Sequence, residues 1–258
     1  MLSLNQINQK KSPFTLFSLE NFLDAKWLSE LSCNFPLIEQ FPQMASLGKF
    51  YMDSRNIEFH DFISSHLIWS KLIEKLNKQL FLDSLLGSLY LAPELDFLKN
   101  YPHPMLHEKF YSIKNDQDKK MLDELGMRFS FEFSSMCNGS YLPPHTDSTS
   151  KLLSILIYLP IDNNKSSLGT KFFKSKSSSP FRSWDSAQLA DKKLSEFYST
   201  HELLYAPTFE LGNVVGFLKS DLSWHSVEAI ECQIPIRRNS FNISLFINII
   251  EQKIRLPF

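Results

Sequence analysis

Residues 128–134, Arg128-Phe129-Ser130-Phe131-Glu132-Phe133-Ser134, alternate without exception between polar and aromatic side chains. Side chains two apart along a strand share a face, so this stretch reads as a strand with one side against a core. It opens a half of the chain unlike the first. Further strand-length segments are expected at 152–159, 170–173, 203–209, 214–218, 224–230 and 238–250, separated by turn residues. The first hundred residues instead read as mainly helical. Asp24 is a plausible N-cap before Trp27, Leu28 and Leu31, which recur at helical spacing. A longer helix is expected over 58–80, with Phe59, Phe62, Ile63, Leu67, Ile73 and Leu76 as its apolar stripe. Short strands behind a helical front imply an α+β fold with a mainly β core: a β-sandwich or jelly roll backed by N-terminal helices.

The 258 residues, 43% of them hydrophobic, suffice for a full core. The expected organisation is one domain over 1–258: a mainly helical support region over 1–126 and a jelly-roll core over 127–250. A loop inserted at 174–200 begins Ser/Lys-rich, and a short helix is expected at 187–197. It reads either as a solvated insertion or as a lid over a site. With 27 Lys+Arg against 28 Asp+Glu and no block of like charge, the chain lacks the basic footprint of a nucleic-acid binder. Cys33, Cys137 and Cys232 are far apart with no C-x-x-C, which argues against a disulfide framework or structural zinc. The N-terminus lacks a sustained apolar core, and no apolar run approaches the ~20 residues of a membrane span. The sequence therefore reads as soluble and cytoplasmic, with no membrane partner; it leaves the oligomeric state open.

One polar stretch stands out: Pro143-Pro144-His145-Thr146-Asp147-Ser148, with a second histidine, His225, 80 positions beyond His145. In an extended segment His145 and Asp147 point the same way and could grip one metal from one strand end. Two histidines and a carboxylate can occupy one face of an octahedral iron(II) ion and leave the opposite face open. His60, His66, His103 and His107 have no histidine or carboxylate partner at strand spacing and read as packing or boundary residues. An H-x-D alone is a short pattern that chance supplies; its place between strand segments gives it weight.

The last strand singles out an arginine. Arg238, Ser240, Asn242 and Ser244 share one face, while Arg237, Phe241, Ile243 and Leu245 share the other. The apolar face should pack on the helices, which turns Arg238 into the barrel. A buried guanidinium requires an anionic partner, and that polar face carries no acid. A bound carboxylate is the expected partner.

These residues resemble the iron(II)- and 2-oxoglutarate-dependent dioxygenases, in particular their prolyl-4-hydroxylase-like branch. The pattern shared is the H-x-D of His145/Asp147, the distal His225, and Arg238-Asn239-Ser240 13 positions further on. The lead-in Gly139-Ser140-Tyr141, the segment Tyr158-Leu159-Pro160, the turn Gly169-Thr170 and the strand Asn213-Val214-Val215-Gly216-Phe217 also look like the family's. The match covers about residues 129–246, and 13–36 resembles the family's helical opening. There are departures: Met136 stands where the family has a tyrosine, Gly-Gly has become Gly169-Thr170, and the histidines are spaced more widely than in compact members.

The resemblance implies that His145, Asp147 and His225 hold iron(II) and serve as the catalytic centre. It implies that the jelly roll is a double-stranded β-helix, that Arg238, with Tyr158 and Ser240, binds 2-oxoglutarate, and that the contact absent at Met136 is either lost or replaced by Asn242. Dioxygen is then the further co-substrate; ascorbate is an admissible accessory. The reaction implied is hydroxylation of an unidentified small molecule or protein side chain, coupled to decarboxylation of 2-oxoglutarate to succinate. The alternative is a metal-binding jelly roll without oxygenase activity, either a cupin-like isomerase or a 2-oxoglutarate-binding sensor. Cupin-type sites usually cluster more histidines on one strand, as H-x-H, which this sequence lacks.

Overall fold

The structure, a computed structural model, describes residues 2–4, 7–45, 47–100, 105–106, 126–148, 150–160, 166–176, 191–231 and 237–247. Eight strands form the jelly roll: β6 (Gly126–Met136), β7 (Leu142–His145), β8 (Lys151–Tyr158), β9 (Lys171–Ser175), β10 (His201–Tyr205), β11 (Val214–Leu218), β12 (His225–Val227) and β13 (Arg238–Ile247). β6, β8, β11 and β13 lie in a larger antiparallel sheet in the order β11-β8-β13-β6, while β10-β9-β12-β7 form a four-stranded one. Successive strands cross between the sheets except at β9–β10, which pair directly. That alternation is the double-stranded β-helix.

The first hundred residues are less helical than their periodicity suggests. β1 (Ile7–Lys10) and β2 (Leu16–Leu19) extend the larger sheet beyond β11, and β3 (Gln43–Met44) and β4 (Lys49–Asp53) extend it beyond β6. β5 (Met105–Leu106) pairs with β6 as well. These strands are two to five residues long, and pairing with an existing sheet edge decides them more than local pattern does.

Between them lie α1 (Ala25–Cys33), α2 (Ile57–Ser65), α3 (Leu67–Leu76) and α4 (Gln79–Ser88). Asp24 caps α1 as expected, its carboxylate accepting from the Trp27 amide at 2.9 Å. The single helix expected over 58–80 is broken at His66, whose backbone turns extended (φ −124°, ψ 93°), and again at Asn77 and Lys78 before α4. Its Nδ1 bonds the Phe62 carbonyl at 2.8 Å and its ring stacks on Phe62 at 3.9 Å. His66 is therefore a boundary residue that fixes the kink. In the insertion, the described residues include α5 (Asp191–Thr200). Residues 177–190, and with them the start of the expected 187–197 helix, lie outside the described residues. So do His103, His107 and Cys232; Cys33 and Cys137 are free thiols.

The parity of β6 and β13 holds in space. Phe129, Phe131 and Phe133 from β6 and Phe241, Ile243 and Leu245 from β13 are all buried in the core shared with the helices. Phe133 is the hub: its ring lies 4.6 Å from Trp69 of α3, 5.2 and 5.6 Å from Phe62 and Phe59 of α2, and 5.1 Å from Phe241. Trp69 in turn donates its indole N–H to the Asn34 carbonyl at 2.8 Å, tying α3 to the end of α1. No helix among the described residues is long and apolar enough to cross a membrane.

Because Phe133 joins two helices to the sheet, Phe133→Ala should destabilise the fold by about 3–5 kcal/mol. Denaturant unfolding followed by tryptophan fluorescence would measure it. A loss under about 1 kcal/mol would show that the aromatic layer does not fasten helices to sheet.

Candidate metal centre and its cavity

β7 and β12 are neighbours in the smaller sheet, and their register sets His145 opposite His225. Their ring centroids are 4.2 Å apart. Asp147 follows β7 by two residues, and ligand atoms of His145, Asp147 and His225 all lie within 4.8 Å of one another. Eighty residues of sequence separation thus close into one cross-strand pair plus a carboxylate.

Each side chain is oriented by a partner outside the cluster. His145 Nδ1 meets the Pro143 carbonyl at 2.9 Å and His225 Nδ1 the Ser223 carbonyl at 3.0 Å. A carbonyl only accepts, so Nδ1 carries the proton in both rings and Nε2 keeps its lone pair for a metal. Asp147 accepts from Ser154 Oγ at 2.7 Å and from Lys151 Nζ at 3.1 Å. Burial, and next the neighbouring His145, push the His225 imidazole down to about 3, and burial lowers His145 too. Burial opposes ionisation of Asp147, but Lys151, the two imidazoles and Ser154 outweigh it and hold the carboxyl below the usual range. Two neutral imidazoles and one carboxylate are the protonation states a divalent cation needs.

This cluster lines a cavity of about 530 Å³ between the two sheets. Arg238, Ser240, Asn242 and Ser244 line it as well, so the polar face of β13 does point inward. Arg238 is only 2% exposed. Its Nε donates to the Leu168 carbonyl at 2.6 Å and an NH2 to Thr170 Oγ1 at 2.9 Å, and the guanidinium lies 5.5 Å from the Tyr158 ring and 5.4 Å from the Phe209 ring. Burial pulls its pKa below the ordinary value, but an arginine stays charged. Among the described residues no carboxylate pairs with it. Nearby, Ser240 Oγ and Asn242 Oδ1 are buried without a hydrogen-bond partner. A buried cation beside a free Ser240 hydroxyl suits an oxygen-rich anion, whereas the Asn242 oxygen only accepts.

The remaining expected residues fall as follows. Tyr158 is buried beneath Arg238, and its hydroxyl accepts from the Thr170 amide at 2.9 Å, so it holds the segment that clamps the guanidinium. Asn242 donates to Glu132 Oε1 at 2.8 Å, and Glu132 pairs with Lys49 at 2.6 Å. Met136, at the departure noted above, is buried against Val227 and Ile230.

Ser154, Lys151, Thr170 and Glu132 were not singled out by the sequence as site residues. Only Thr170 left a trace, as the residue replacing a glycine; Glu132 depends on the β6–β13 register, and Lys151 and Ser154 on the chain folding back within seven residues of Asp147. Gly169 beside it is constrained, since a Cβ there would lie 1.7 Å from the Pro207 carbonyl oxygen.

No family model matches the chain, and no curated protein matches it. Among solved structures it is similar to a Pseudomonas putida prolyl-4-hydroxylase (13% identity, 91% of this chain and 94% of that one, TM-score 0.42). It is also similar to an oxidoreductase of the 2OG-Fe(II) oxygenase family from Burkholderia pseudomallei (10%, 90% and 84%, TM-score 0.47). A third is HygX from Streptomyces hygroscopicus with nickel, 2-oxoglutarate and hygromycin B bound (9%, 90% and 82%, TM-score 0.45). Likenesses this distant carry no functional conclusion; the side-chain geometry must.

If Ser154 orients Asp147 for a metal, Ser154→Ala should weaken Mn(II) or Fe(II) binding roughly tenfold to a hundredfold. Competition against a chelator measures this. Unchanged affinity would remove Ser154 from the site.

Proposed function

We propose that this chain is an iron(II)- and 2-oxoglutarate-dependent oxygenase that hydroxylates an organic substrate. The observation that carries the reading is the pairing, in one cavity, of a two-histidine, one-carboxylate cluster with a buried arginine that has no carboxylate partner among the described residues. The cluster alone would suit several divalent metals. A separate, inward cation adds the demand for an anionic co-substrate, and 2-oxoglutarate presents one carboxylate for such a cation and a 2-oxo acid for a metal.

His145 and His225 would offer Nε2 and Asp147 a carboxylate oxygen, leaving the opposite coordination face to ligands that come and go. When bound, iron(II) and 2-oxoglutarate supply the oxidative chemistry, with dioxygen as oxidant and succinate and carbon dioxide as products. The chain's own work is positional. The two backbone carbonyls hold the imidazoles in one tautomer, and Ser154 and Lys151 steer Asp147. The Leu168 carbonyl and Thr170 hydroxyl fix Arg238, while Tyr158 fixes Thr170. Ser240 would offer its hydroxyl to the co-substrate, and Asn242 the amide N–H not given to Glu132. Phe217, 4.6 Å from the His225 ring, together with Leu142, Leu156 and Val227, gives the wall apolar surface that limits water there.

His145→Ala and Asp147→Ala should abolish succinate formation from 2-oxoglutarate. Arg238→Gln should raise the Kd for 2-oxoglutarate on the order of a hundredfold while Mn(II) still binds, the loss of one buried charge partner. Anaerobic titration separates the two. Wild-type protein that binds neither iron(II) nor 2-oxoglutarate would overturn the proposal. Tight binding of both with no succinate across broad substrate panels would instead favour the 2-oxoglutarate sensor.

A further inference from the structure

Beyond the clamp on Arg238, the cavity has a floor that the metal and co-substrate do not explain. It is built from cross-strand pairs of β6 and β13, in which Glu132 stands opposite Asn242 and Ser130 opposite Ser244. On the other side of β13, Leu156 of β8 faces Asn242 and Ser154 faces Ser244. The next row along the strand is Arg128–Phe246–Lys151. All these side chains line the cavity. Ser154 also holds Asp147 at 2.7 Å, so the Ser130–Ser244 row runs up to the metal ligands.

Glu132 is the centre of this floor. Its two partners, Lys49 Nζ at 2.6 Å and Asn242 Nδ2 at 2.8 Å, both bond Oε1. Among the described residues nothing hydrogen-bonds Oε2, and the side chain is 25% exposed. A carboxylate has lone pairs for about four hydrogen bonds, so Glu132 keeps acceptor capacity on the cavity side. What it lacks is a donor, not a counter-charge. Lys49 already balances it, and Arg55 balances Asp53, its neighbour on β4. Ionised 2-oxoglutarate carries acceptors alone and cannot supply that donor. Ser130 and Ser244 flank the carboxylate with hydroxyls that both donate and accept. Ser130 Oγ shares one hydrogen bond with Ser54 Oγ at 3.1 Å, and a hydroxyl can make more than one.

We infer that the substrate is a neutral, polyhydroxylated small molecule, a sugar or cyclitol in chemical class, whose hydroxyls bond Glu132 Oε2, Ser130 and Ser244. This rests on the oxygenase reading for its reaction, but not for its binding. A hydroxyl donating to an ionised carboxylate makes a stronger bond than one donating to a neutral group. Side chains on such a floor stand ~5 Å apart across strands and ~7 Å along them, a spacing that several hydroxyls of one ring-sized molecule bridge. Leu156 adds an apolar contact for the ring's C–H surface. The cavity of about 530 Å³ is sized for a small ligand. A molecule seated on the Ser130–Ser244 row lies beside the metal ligands, where a C–H bond must be placed to be oxidised.

The test is ligand-observed NMR titration of anaerobic protein loaded with 2-oxoglutarate and either Zn(II) or Mn(II). The probes are myo-inositol, glucose and sucrose against cyclohexanol, cyclohexylamine and cyclohexanecarboxylate. At least one polyol should bind about tenfold tighter than every single-group probe, and Mn(II) should broaden its resonances where Zn(II) does not. Glu132→Gln should weaken that polyol roughly tenfold, and Ser244→Ala roughly threefold to tenfold. Ser244→Ala should bind 2-oxoglutarate as the wild type does. Melting curves check folding; if Glu132→Gln is unfolded, Ser244→Ala decides. No polyol tighter than cyclohexanol, an amine or acid that binds as tightly, or no broadening by Mn(II) overturns the inference. So does an equal loss of 2-oxoglutarate in Ser244→Ala, which would give the floor to the co-substrate. Should the protein take up neither metal nor 2-oxoglutarate, the oxygenase reading fails by itself. The same probes titrated against metal-free wild type and Ser244→Ala then decide the floor independently.

Discussion

The structure depends on the two-faced character of β13. This strand sits between β6 and β8, so every side chain it carries must serve either the helix-packed core or the cavity. Phe241, Ile243 and Leu245 take the core side and join the aromatic layer around Phe133 and Trp69. Arg238, Ser240, Asn242 and Ser244 take the other. A shift of one residue would bury the arginine among phenylalanines and send the apolar side chains into the site. Hydrophobic burial on one face therefore fixes the position of the charged group on the other.

That linkage explains which parts were legible in the sequence. Strand parity located Arg238 and the H-x-D set two candidate metal ligands side by side, because both features are local; His225, 80 positions on, meets them only through strand pairing. The helix break at His66 was not legible. The apolar stripe of the helices on either side runs on through it, and the break depends on a histidine ring stacking on Phe62. Nor were β1–β4, whose short segments become strands only beside a sheet edge.

The same reasoning covers the residues that support the site. Ser154 meets Asp147 from seven residues on, and Thr170 meets Arg238 across 68 positions of sequence. No spacing rule within a single strand encodes such contacts. They arise from how the chain folds back on itself, so a sequence shows the ligands of a site sooner than the groups that aim them.

The layered order of the cavity has an evolutionary consequence. The clamp on Arg238 belongs to one end of β13 and the Arg128–Phe246–Lys151 row to the other, with Ser240, Asn242 and Ser244 between. Because side chains two apart on one strand meet different neighbours, exchanges at residues 128 and 246 would leave the clamp undisturbed. The scaffold is thus modular along the length of a single strand. Selection could retune one end of the cavity while the cluster of His145, Asp147 and His225 stays constant.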